Sequence, residues 1–460
     1  MVVTRFAPSP TGYLHIGGLR TALFSYLWAR KNGGKFLLRI EDTDLARNSQ
    51  EAADAILEAF KWVGLSHDGE IVYQSQRFDL YKKYIAKLLD EGNAYYCYMS
   101  KEELDALREE QMANKQKPMY DNRWRDSDAT PPEGVQPVVR LKTPLEGKVL
   151  IPDGVKGNVE FSWSEIDDFI IARSDGTPTY NLVVAIDDAL MGVNNVIRGD
   201  DHLSNTPKQI AVYQALGFTV PKFYHVPMIH NEKGKKLSKR DGAMDVMEYK
   251  RNGYIPQALL NFLVRLGWSN KDQEIFTFQE MLELFNPDNI NKSASAYNLE
   301  KLDWLNSHYI KNMSNDELAH LLMDFDVAIH GHDKKEILLD NAKERAKTIK
   351  DLADAVKFIL EHPASYNEKD LEKSVTPETA DILNGFITTL EQAGELHLPV
   401  DYQEVIDTYL KEGGHKMPML GKPLRLALFG VATGPNLADV LAILGVEETK
   451  RRVEALLKNI

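Results

Sequence analysis

The residues best suited to chemistry lie at two places far apart in the chain. The first is Arg5-Phe6-Ala7-Pro8-Ser9-Pro10-Thr11-Gly12-Tyr13-Leu14-His15-Ile16-Gly17-Gly18. An apolar run ends there in a turn that Pro8 and Pro10 stiffen and Gly12 tightens. A histidine then opens a long helical pattern. Gly17 and Gly18 present no side chain where a ligand must approach the backbone. The free N–H groups and positive dipole end of a helix start favour a phosphate. His15 at that spot can donate a hydrogen bond to charge developing on an α-phosphate as pyrophosphate leaves. His15 alone reads equally well as a solvent-exposed turn residue; the whole string from Arg5 to Gly18 does not.

The second place is Asn231-Glu232-Lys233-Gly234-Lys235-Lys236-Leu237-Ser238-Lys239-Arg240, with five cations between Lys233 and Arg240. A loop of this kind can close over a triphosphate and stabilise its transition state electrostatically. Lys239 is the first candidate for direct contact with the phosphates and Lys236 the second. A solvated charged loop or a nonspecific RNA patch is the plainer alternative.

These groups need elements to bring them together. Val2–Ala7 reads as a buried strand, Gly17–Asn32 as a helix, and Phe36–Ile40 as a second strand. Asn32-Gly33-Gly34 stops the helix, since glycine accepts the left-handed cap. A loop with Glu41-Asp42-Thr43-Asp44 and a helix from Ser49 to Val63 follow. This β-α-β-α order predicts a doubly wound, Rossmann-type parallel sheet, an α/β fold. From Tyr95 to Tyr180 the rhythm breaks. A charged helix over Lys101–Gln116 and short strands near Val138–Leu141, Val159–Trp163 and Phe169–Arg173 suggest an α+β insertion. From Val193 the rhythm resumes, with a strand to Arg198, a helix over Thr206–Leu216 and a strand over Tyr224–Pro227. Beyond Asn298 only amphipathic helical patterns appear, so the last third is expected to be an all-helical domain. The expected division is residues 1–94 with 181–245, an insertion at 95–180, a connecting region at 246–305, and helices at 306–460.

At 460 residues, with 43% hydrophobic residues, the chain should hold two or more domains with sizeable cores. Mean hydropathy is −0.36, and no apolar stretch approaches a membrane span. The N-terminus has neither a signal-peptide nor a transit profile. The single cysteine, Cys97, excludes an internal disulfide framework and suits a reducing cytoplasm. A net charge of −13 argues against indiscriminate nucleic-acid binding, but leaves room for one structured RNA met by local patches.

Together the two segments resemble the "HIGH" and "KMSKS" signatures of class I aminoacyl-tRNA synthetases, and the first has the wording of the glutamyl branch. Gly18 stands where the generic signature has a second histidine, as is usual in that branch. The resemblance implies that Arg5 reads a carboxylate of the substrate, Ala7 and Ser9 line the amino-acid pocket, and Glu41 holds the α-ammonium group. Thr177-Pro178-Thr179-Tyr180-Asn181-Leu182 resembles the substrate-side element, which places Tyr180 and Asn181 against glutamate. In Val196-Ile197-Arg198-Gly199-Asp200-Asp201-His202, Arg198 would meet the glutamate side chain and Asp201 the ATP. The family more often has Glu at position 200. Nucleotide contacts would come from His15, Gly17, Gly18, Asp201, Ile229, Lys236, Leu237, Ser238, Lys239 and Arg240.

The implied activity is ligation of L-glutamate to tRNA(Glu) through a glutamyl-adenylate, with ATP and Mg²⁺, by a monomeric cytoplasmic enzyme. Two arginines facing one small ligand favour glutamate over glutamine, because a neutral amide leaves positive charge uncompensated, at about 1–3 kcal/mol or more. Many relatives carry zinc in the insertion. Here only Cys97 of that ligand set remains, beside Tyr98 and Met99 and ahead of Trp124-Arg125-Asp126, so no zinc is expected. Tyr95, Tyr96, Tyr98 and Trp124 would supply a small apolar core instead. The insertion would hold the acceptor end of the tRNA and the helical third its anticodon. Lys343, Arg345, Lys347 and Lys350 are expected on one helix, and Lys416, Lys422 and Arg425 surround Pro418 and Pro423 in a stretch expected to form a loop-backed groove; Arg345 and Arg425 are the candidate RNA contacts. Rivals are a tRNA-independent relative that glutamylates a modified base, a small-molecule nucleotidyltransferase, and a noncatalytic RNA-binding paralogue. The first two have no use for a large helical third, and intact Arg5, His15 and Lys239 count against the last.

Overall fold

The first strand, β1 (Val3–Phe6), is buried along its whole length although half of it is polar. That is possible because its polar groups are answered. The Thr4 hydroxyl donates to the Ser25 carbonyl at 2.7 Å, and the Arg5 guanidinium meets a buried carboxylate. The computed structural model describes residues 1–44, 47, 49–237 and 245–460. These form two compact units, Met1–Tyr249 with Leu259–Leu299, and Lys250–Ala258 with Glu300–Ile460.

In the first unit α1 (Ile16–Lys31) follows the turn, with His15 as an extended N-cap residue (φ −96°, ψ 165°). The chain returns through Gly33 at φ +59° and Gly34, where a Cβ would lie 1.9 Å from the Val2 carbonyl oxygen, so that only glycine fits. β2 (Lys35–Ile40) pairs parallel with β1, Arg5 opposite Leu37. α2 (Gln50–Val63), capped by the Ser49 hydroxyl, leads to β3 (Val72–Tyr73), which is parallel to β2, and to α3 (Phe78–Asp90).

The insertion then contributes β4 (Ala94–Cys97), α4 (Lys101–Ala113), β5 (Val138–Leu141), β6 (Lys148–Asp153), β7 (Gly157–Ser162) and β8 (Ile170–Ala172). β4, β5 and β8 form an antiparallel sheet, and β6 with β7 an antiparallel hairpin. Strand β6 was not expected from sequence. Its inward residues alternate, but Leu150 faces outward at 55% exposure and Pro152 interrupts, which blurs the period-two signal. A buried carboxylate organises this region. Asp168 accepts from Tyr95 (2.8 Å), Arg125 (2.9 Å), and the Thr143 amide (2.8 Å) and hydroxyl (3.0 Å). Tyr98 and Trp124 pack 5.1 Å apart, while Tyr96 is half exposed and Tyr95 is engaged by Asp168. Cys97 is buried.

α5 (Tyr180–Leu190) returns the chain to the main sheet, with β9 (Asn195–Gly199), α6 (Thr206–Leu216) and β10 (Lys222–Val226). β9 and β10 are parallel, and β9 lies beside β1, tied by Asn194 N–H to the Val3 carbonyl at 3.1 Å. The order across this doubly wound parallel sheet is therefore β3, β2, β1, β9, β10, and the direction of winding reverses between β1 and β9. Two-residue strands β11 (Ile229–His230) and β12 (Ser295–Ala296) also pair in parallel. Between them lie α7 (Val246–Arg251), α8 (Pro256–Arg265) and α9 (Phe278–Leu284), and the chain crosses between units within α7 and α8.

The second unit is helical, from α10 (Leu299–Asn312) through α11 (Asn315–Leu322), α12 (Lys335–Lys343), α13 (Ile349–Leu360), α14 (Glu368–Ser374), α15 (Thr379–Gln392), α16 (Pro399–Gly413) and α17 (Met417–Phe429) to α18 (Leu437–Leu457). Its core runs through residues such as Leu318, Leu352, Phe386, Leu424 and Leu441. Arg452 is fully buried and caps three helical carbonyls, those of Ile359, Leu360 and Leu428, at 2.8–3.1 Å. Two expectations are corrected here. Lys343 to Lys350 do not share a helix: α12 ends at Lys343, Thr348 caps α13, and Arg345 stands exposed in the turn between them. The stretch around Pro418 and Pro423, expected to be backed by a loop, is the helix α17 carrying Lys422 and Arg425, with Pro418 in its first turn and Pro423 inside it. No helix among the described residues is long and apolar enough to cross a membrane.

Candidate active site

In a doubly wound sheet, ligands bind beyond the carboxyl ends of the strands where the winding reverses. Here those ends belong to β1 and β9. β1 delivers Arg5 and the Pro8–Gly12 turn, and β9 delivers Arg198 and the Asp200-Asp201-His202 segment. The turn is held to the end of β2 by the Glu41 amide, which donates to the Pro8 carbonyl at 2.9 Å.

A chain of charges lines this crevice. Arg5 donates through Nε and Nη2 to both oxygens of Asp188, at 3.0 and 3.2 Å. Arg39 donates to the same Asp188 at 2.7 Å and to Glu41 at 3.0 Å. Next door Asp187 accepts from Arg77, Gln74 and Tyr81, at 2.9, 2.9 and 2.6 Å. Arg198 differs. Its donors meet neutral partners: Nε meets His225 Nε2 (3.1 Å), Nη1 meets Gln209 Oε1 (2.8 Å), and Nη2 meets Thr206 Oγ1 (2.9 Å). Arg5, Arg39 and Arg77 are thus each paired with a carboxylate (Asp188, Asp188 with Glu41, and Asp187), whereas Arg198 touches none directly. Burial pushes the Arg198 pKa down; Tyr180 opposes this and Arg5 adds to it. Arg198 is therefore a buried cation without a carboxylate partner among the described residues, the signature of a site completed by an anion.

The carboxylates respond to the same field. Burial raises the Asp188 pKa, but Arg5 and Arg39 overcome it and bring it to about 2. For Glu41 burial wins over Arg39 and Arg5, and its pKa rises. Since the folded pKa of Asp188 lies below its unfolded value near 3.8, its stabilisation is present above that value and is lost as pH falls toward about 2. Asp188→Asn is expected to cost about 3–5 kcal/mol at pH 7, because it strips a buried pair of one partner. Urea unfolding at pH 7 and at pH 3 should show the gap from wild type narrowing at the lower pH; a gap independent of pH would contradict the charge-pairing account.

Tyr180 opens α5 and its hydroxyl lies 3.1 Å from His202 Nδ1. Burial, reinforced by Glu41, pushes the Tyr180 phenol up to about 12. Asn181 accepts from Gln209 Nε2 at 3.2 Å, and Gln209 in turn accepts from Arg198, so the two substrate-side candidates join the arginine through one relay. Ala7 is half-buried and Ser9 exposed at the mouth of the crevice.

On the phosphate side, His15 Nδ1 accepts the Gly18 amide at a long 3.4 Å, which leaves the ring proton on Nε2, free to donate outward. Burial and Lys236 lower the His15 pKa, while Asp201 raises it; these three side chains therefore share one electrostatic neighbourhood. A Cβ at Gly199 would meet Asp201 Oδ1 at 2.4 Å, so the glycine lets Asp201 fold back beside the strand end. Lys236 bridges to His230, and the Leu237 amide donates to the Ile229 carbonyl at 3.2 Å. Asp245 bridges to His15, and the Val246 amide donates to the Leu14 carbonyl at 2.8 Å. Of the described residues flanking 238–244, Asp245 and Val246 are thus tied to the His15 turn and Lys236 and Leu237 to Ile229–His230, with Lys236 close enough to lower the His15 pKa. Ser238, Lys239 and Arg240 lie outside the described residues.

Arg345 and Arg425 belong to the other unit; Arg345 is exposed, and Arg425 is half-buried with Nη1 3.4 Å from the Gly421 carbonyl. Sequence reasoning missed Asp188, Arg39, Gln209, Thr206, His225 and Asp153. The adjacent Asp187-Asp188 inside an otherwise apolar helix is a signal that could have exposed the first of these. No cluster of three or more His, Cys, Asp or Glu suited to a metal ion occurs among the described residues.

Comparison with known proteins bears on this arrangement. The family description "tRNA synthetases class I (E and Q), catalytic domain" matches residues 1–304, and an anticodon-binding domain matches residues 281–457. A glutamate–tRNA ligase of Nitratiruptor sp. is 67% identical over 459 residues, covering 100% of this chain and 99% of its own. One from Sulfurimonas denitrificans is 66% identical, covering 99% of each chain. Among solved structures, a glutamate tRNA ligase from Elizabethkingia meningosepticum in complex with its amino acid matches with a TM-score of 0.89 at 33% identity, covering 99% of both chains.

Proposed function

Because the chain belongs to the glutamyl-tRNA synthetases of class I, we propose that it ligates L-glutamate to tRNA(Glu) at the expense of ATP, and that the crevice residues divide that work as follows. A glutamate α-carboxylate oxygen attacks the α-phosphorus of ATP. The bond to the bridging oxygen breaks, and pyrophosphate leaves; magnesium bound on the nucleotide would offset the phosphate charge. The terminal ribose 2′-hydroxyl of the tRNA then attacks the acyl carbon, the acyl–phosphate bond breaks, and AMP departs with the hydroxyl proton taken up by its phosphate oxygen. No residue among the described ones of the crevice is assigned as a general base, so positioning and charge aimed at the phosphates carry the rate.

Arg198 takes the side-chain carboxylate of glutamate, with Arg5 beside it, Tyr180 and Asn181 closing the pocket, and Ala7 and Ser9 at its mouth. Glu41 meets the α-ammonium group. His15 donates through Nε2 to the α-phosphate, Gly17 and Gly18 offer backbone to it, and Lys236, Leu237, Ser238, Lys239 and Arg240 serve the leaving pyrophosphate. Asp201 and Ile229 hold the nucleoside. The insertion receives the acceptor end and the helical unit the anticodon, where Arg345 and Arg425 are the contacts to test. The single buried cysteine suits a cytoplasmic setting, and the enzyme is taken to act as a monomer.

One observation carries the choice of substrate: a buried guanidinium whose direct partners are all neutral. Glutamate neutralises that charge and glutamine does not. The test is amino-acid-dependent ATP–pyrophosphate exchange with and without tRNA. Exchange is expected with glutamate and tRNA together, and weakly or not at all with glutamine. Exchange supported by another amino acid, or by none under either condition, would reject the assignment.

A further inference from the structure

The side chain on which Arg198 rests is itself held from an unexpected place. His225, on β10, is fully buried, and its Nδ1 lies 2.6 Å from Asp153 Oδ2. Asp153 is the last residue of β6, in the insertion hairpin, and is buried as well. Its Oδ1 accepts the Val155 and Lys156 amides at 2.9 and 2.8 Å, and Oδ2 also receives the His225 amide at 3.1 Å. Every neighbour of this carboxylate is a donor, so it is an ionised acceptor and the His225 proton sits on Nδ1. Nε2 is then a lone pair. It faces Arg198 Nε and the Thr206 hydroxyl, each at 3.1 Å, while Thr206 also accepts from Arg198 Nη2. The Phe223 ring stacks on His225 at 5.8 Å and lies 5.2 Å beneath the guanidinium.

We propose that Asp153 and His225 are positioning residues for substrate selection: the insertion's carboxylate fixes the His225 tautomer, and His225 in turn fixes the plane of the Arg198 guanidinium that receives the glutamate side chain. This assignment rests on the role given to Arg198 above. A guanidinium recognises a carboxylate through two parallel bonds, so its rotation matters as much as its charge. A histidine of the opposite tautomer would aim N–H at N–H and turn the fork away. Burial lowers the His225 pKa, Asp153 opposes this and Arg198 adds to it, so the ring stays a neutral acceptor. The contact between hairpin and sheet is tight: the Gly154 amide donates to the Phe223 carbonyl at 2.9 Å, and a Cβ at Gly154 would strike the Tyr224 ring at 2.2 Å.

Asp153→Asn tests this with almost no change of shape. Its amide oxygen remains with the Val155 and Lys156 amides, so the –NH₂ faces His225, drives the proton to Nε2 and gives up the bond from the His225 backbone amide, a loss the thermal midpoint registers separately. The glutamate KM is expected to rise about tenfold to a hundredfold, the cost of opposed donors, and the preference for glutamate over glutamine to fall with it. The ATP KM and tRNA Kd should change less than twofold, and the thermal midpoint should show a folded protein. His225→Gln, which keeps an acceptor toward Arg198, should recover most of the glutamate KM relative to His225→Ala. A glutamate KM within twofold of wild type in folded Asp153→Asn, or equal losses for glutamate, ATP and tRNA, would overturn the assignment. Wild-type protein that activates no glutamate would instead overturn the functional reading beneath it.

Discussion

Arg198→Ala is expected to lower kcat/KM for glutamate by about 10³-fold or more, because the substrate carboxylate loses its charged partner in a buried site. The discrimination between glutamate and glutamine should collapse at the same time, which a merely structural residue would not cause. Two consequences of the geometry sharpen this. The substitution removes the one guanidinium of the site that has no direct carboxylate partner among the described residues, so the pocket no longer favours an anion there. It also leaves Gln209, Thr206 and His225 without a shared donor. Arg198→Lys should rescue little. A lysine offers one charge centre, whereas three separate acceptors fix the guanidinium here. Pyrophosphate exchange with both amino acids, read beside the thermal midpoint, measures these effects. Retained preference for glutamate in folded Arg198→Ala would place specificity elsewhere.

His15→Ala is expected to reduce kcat by roughly 10²–10³-fold with little change in the glutamate KM, as befits a donor used mainly when charge builds on the α-phosphate. The imidazole has a second task as N-cap of α1, and losing that costs about 1 kcal/mol of stability. His15→Asn separates the two. Asparagine caps the Gly18 amide equally well but does not reach the phosphate, so stability should return while kcat stays low. Burial and Lys236 hold the His15 pKa below its ordinary 6.5. The rate should therefore stay level as pH falls from 8 toward 6.5, and decline only below that, when protonation removes the acceptor from Gly18. Single-turnover adenylate formation across this range checks the result, and a decline centred at or above 6.5 would contradict it.

The catalytic turn was legible because its information is local. Prolines, glycines and a strand-to-helix change of period lie within the first eighteen residues, and each dictates backbone shape without help from elsewhere. The same holds for the parallel order of β1, α1, β2 and α2, and for the helical character of the chain beyond Asn298. Local patterns failed where they were mixed. β6 carries an outward Leu150 and a proline, and so did not look like a strand. The charges from Lys343 to Lys350 suit one helix, but Thr348 and Asp351 form the capping box that starts a new one, α13.

The chain's own spelling was enough to establish which reaction class the protein serves, since the two phosphate-directed segments and the arginines carry their chemistry in residue type and spacing. How those arginines are balanced came from folding alone. Asp188 meets Arg5 across 183 positions and Asp153 meets His225 across 72, and neither pairing leaves a periodic trace in the sequence. The net charge of a buried pocket, the tautomer of a histidine and the angle of a guanidinium depend on which distant groups burial forces into contact. Desolvation makes those contacts decisive, and only a complete three-dimensional register specifies them.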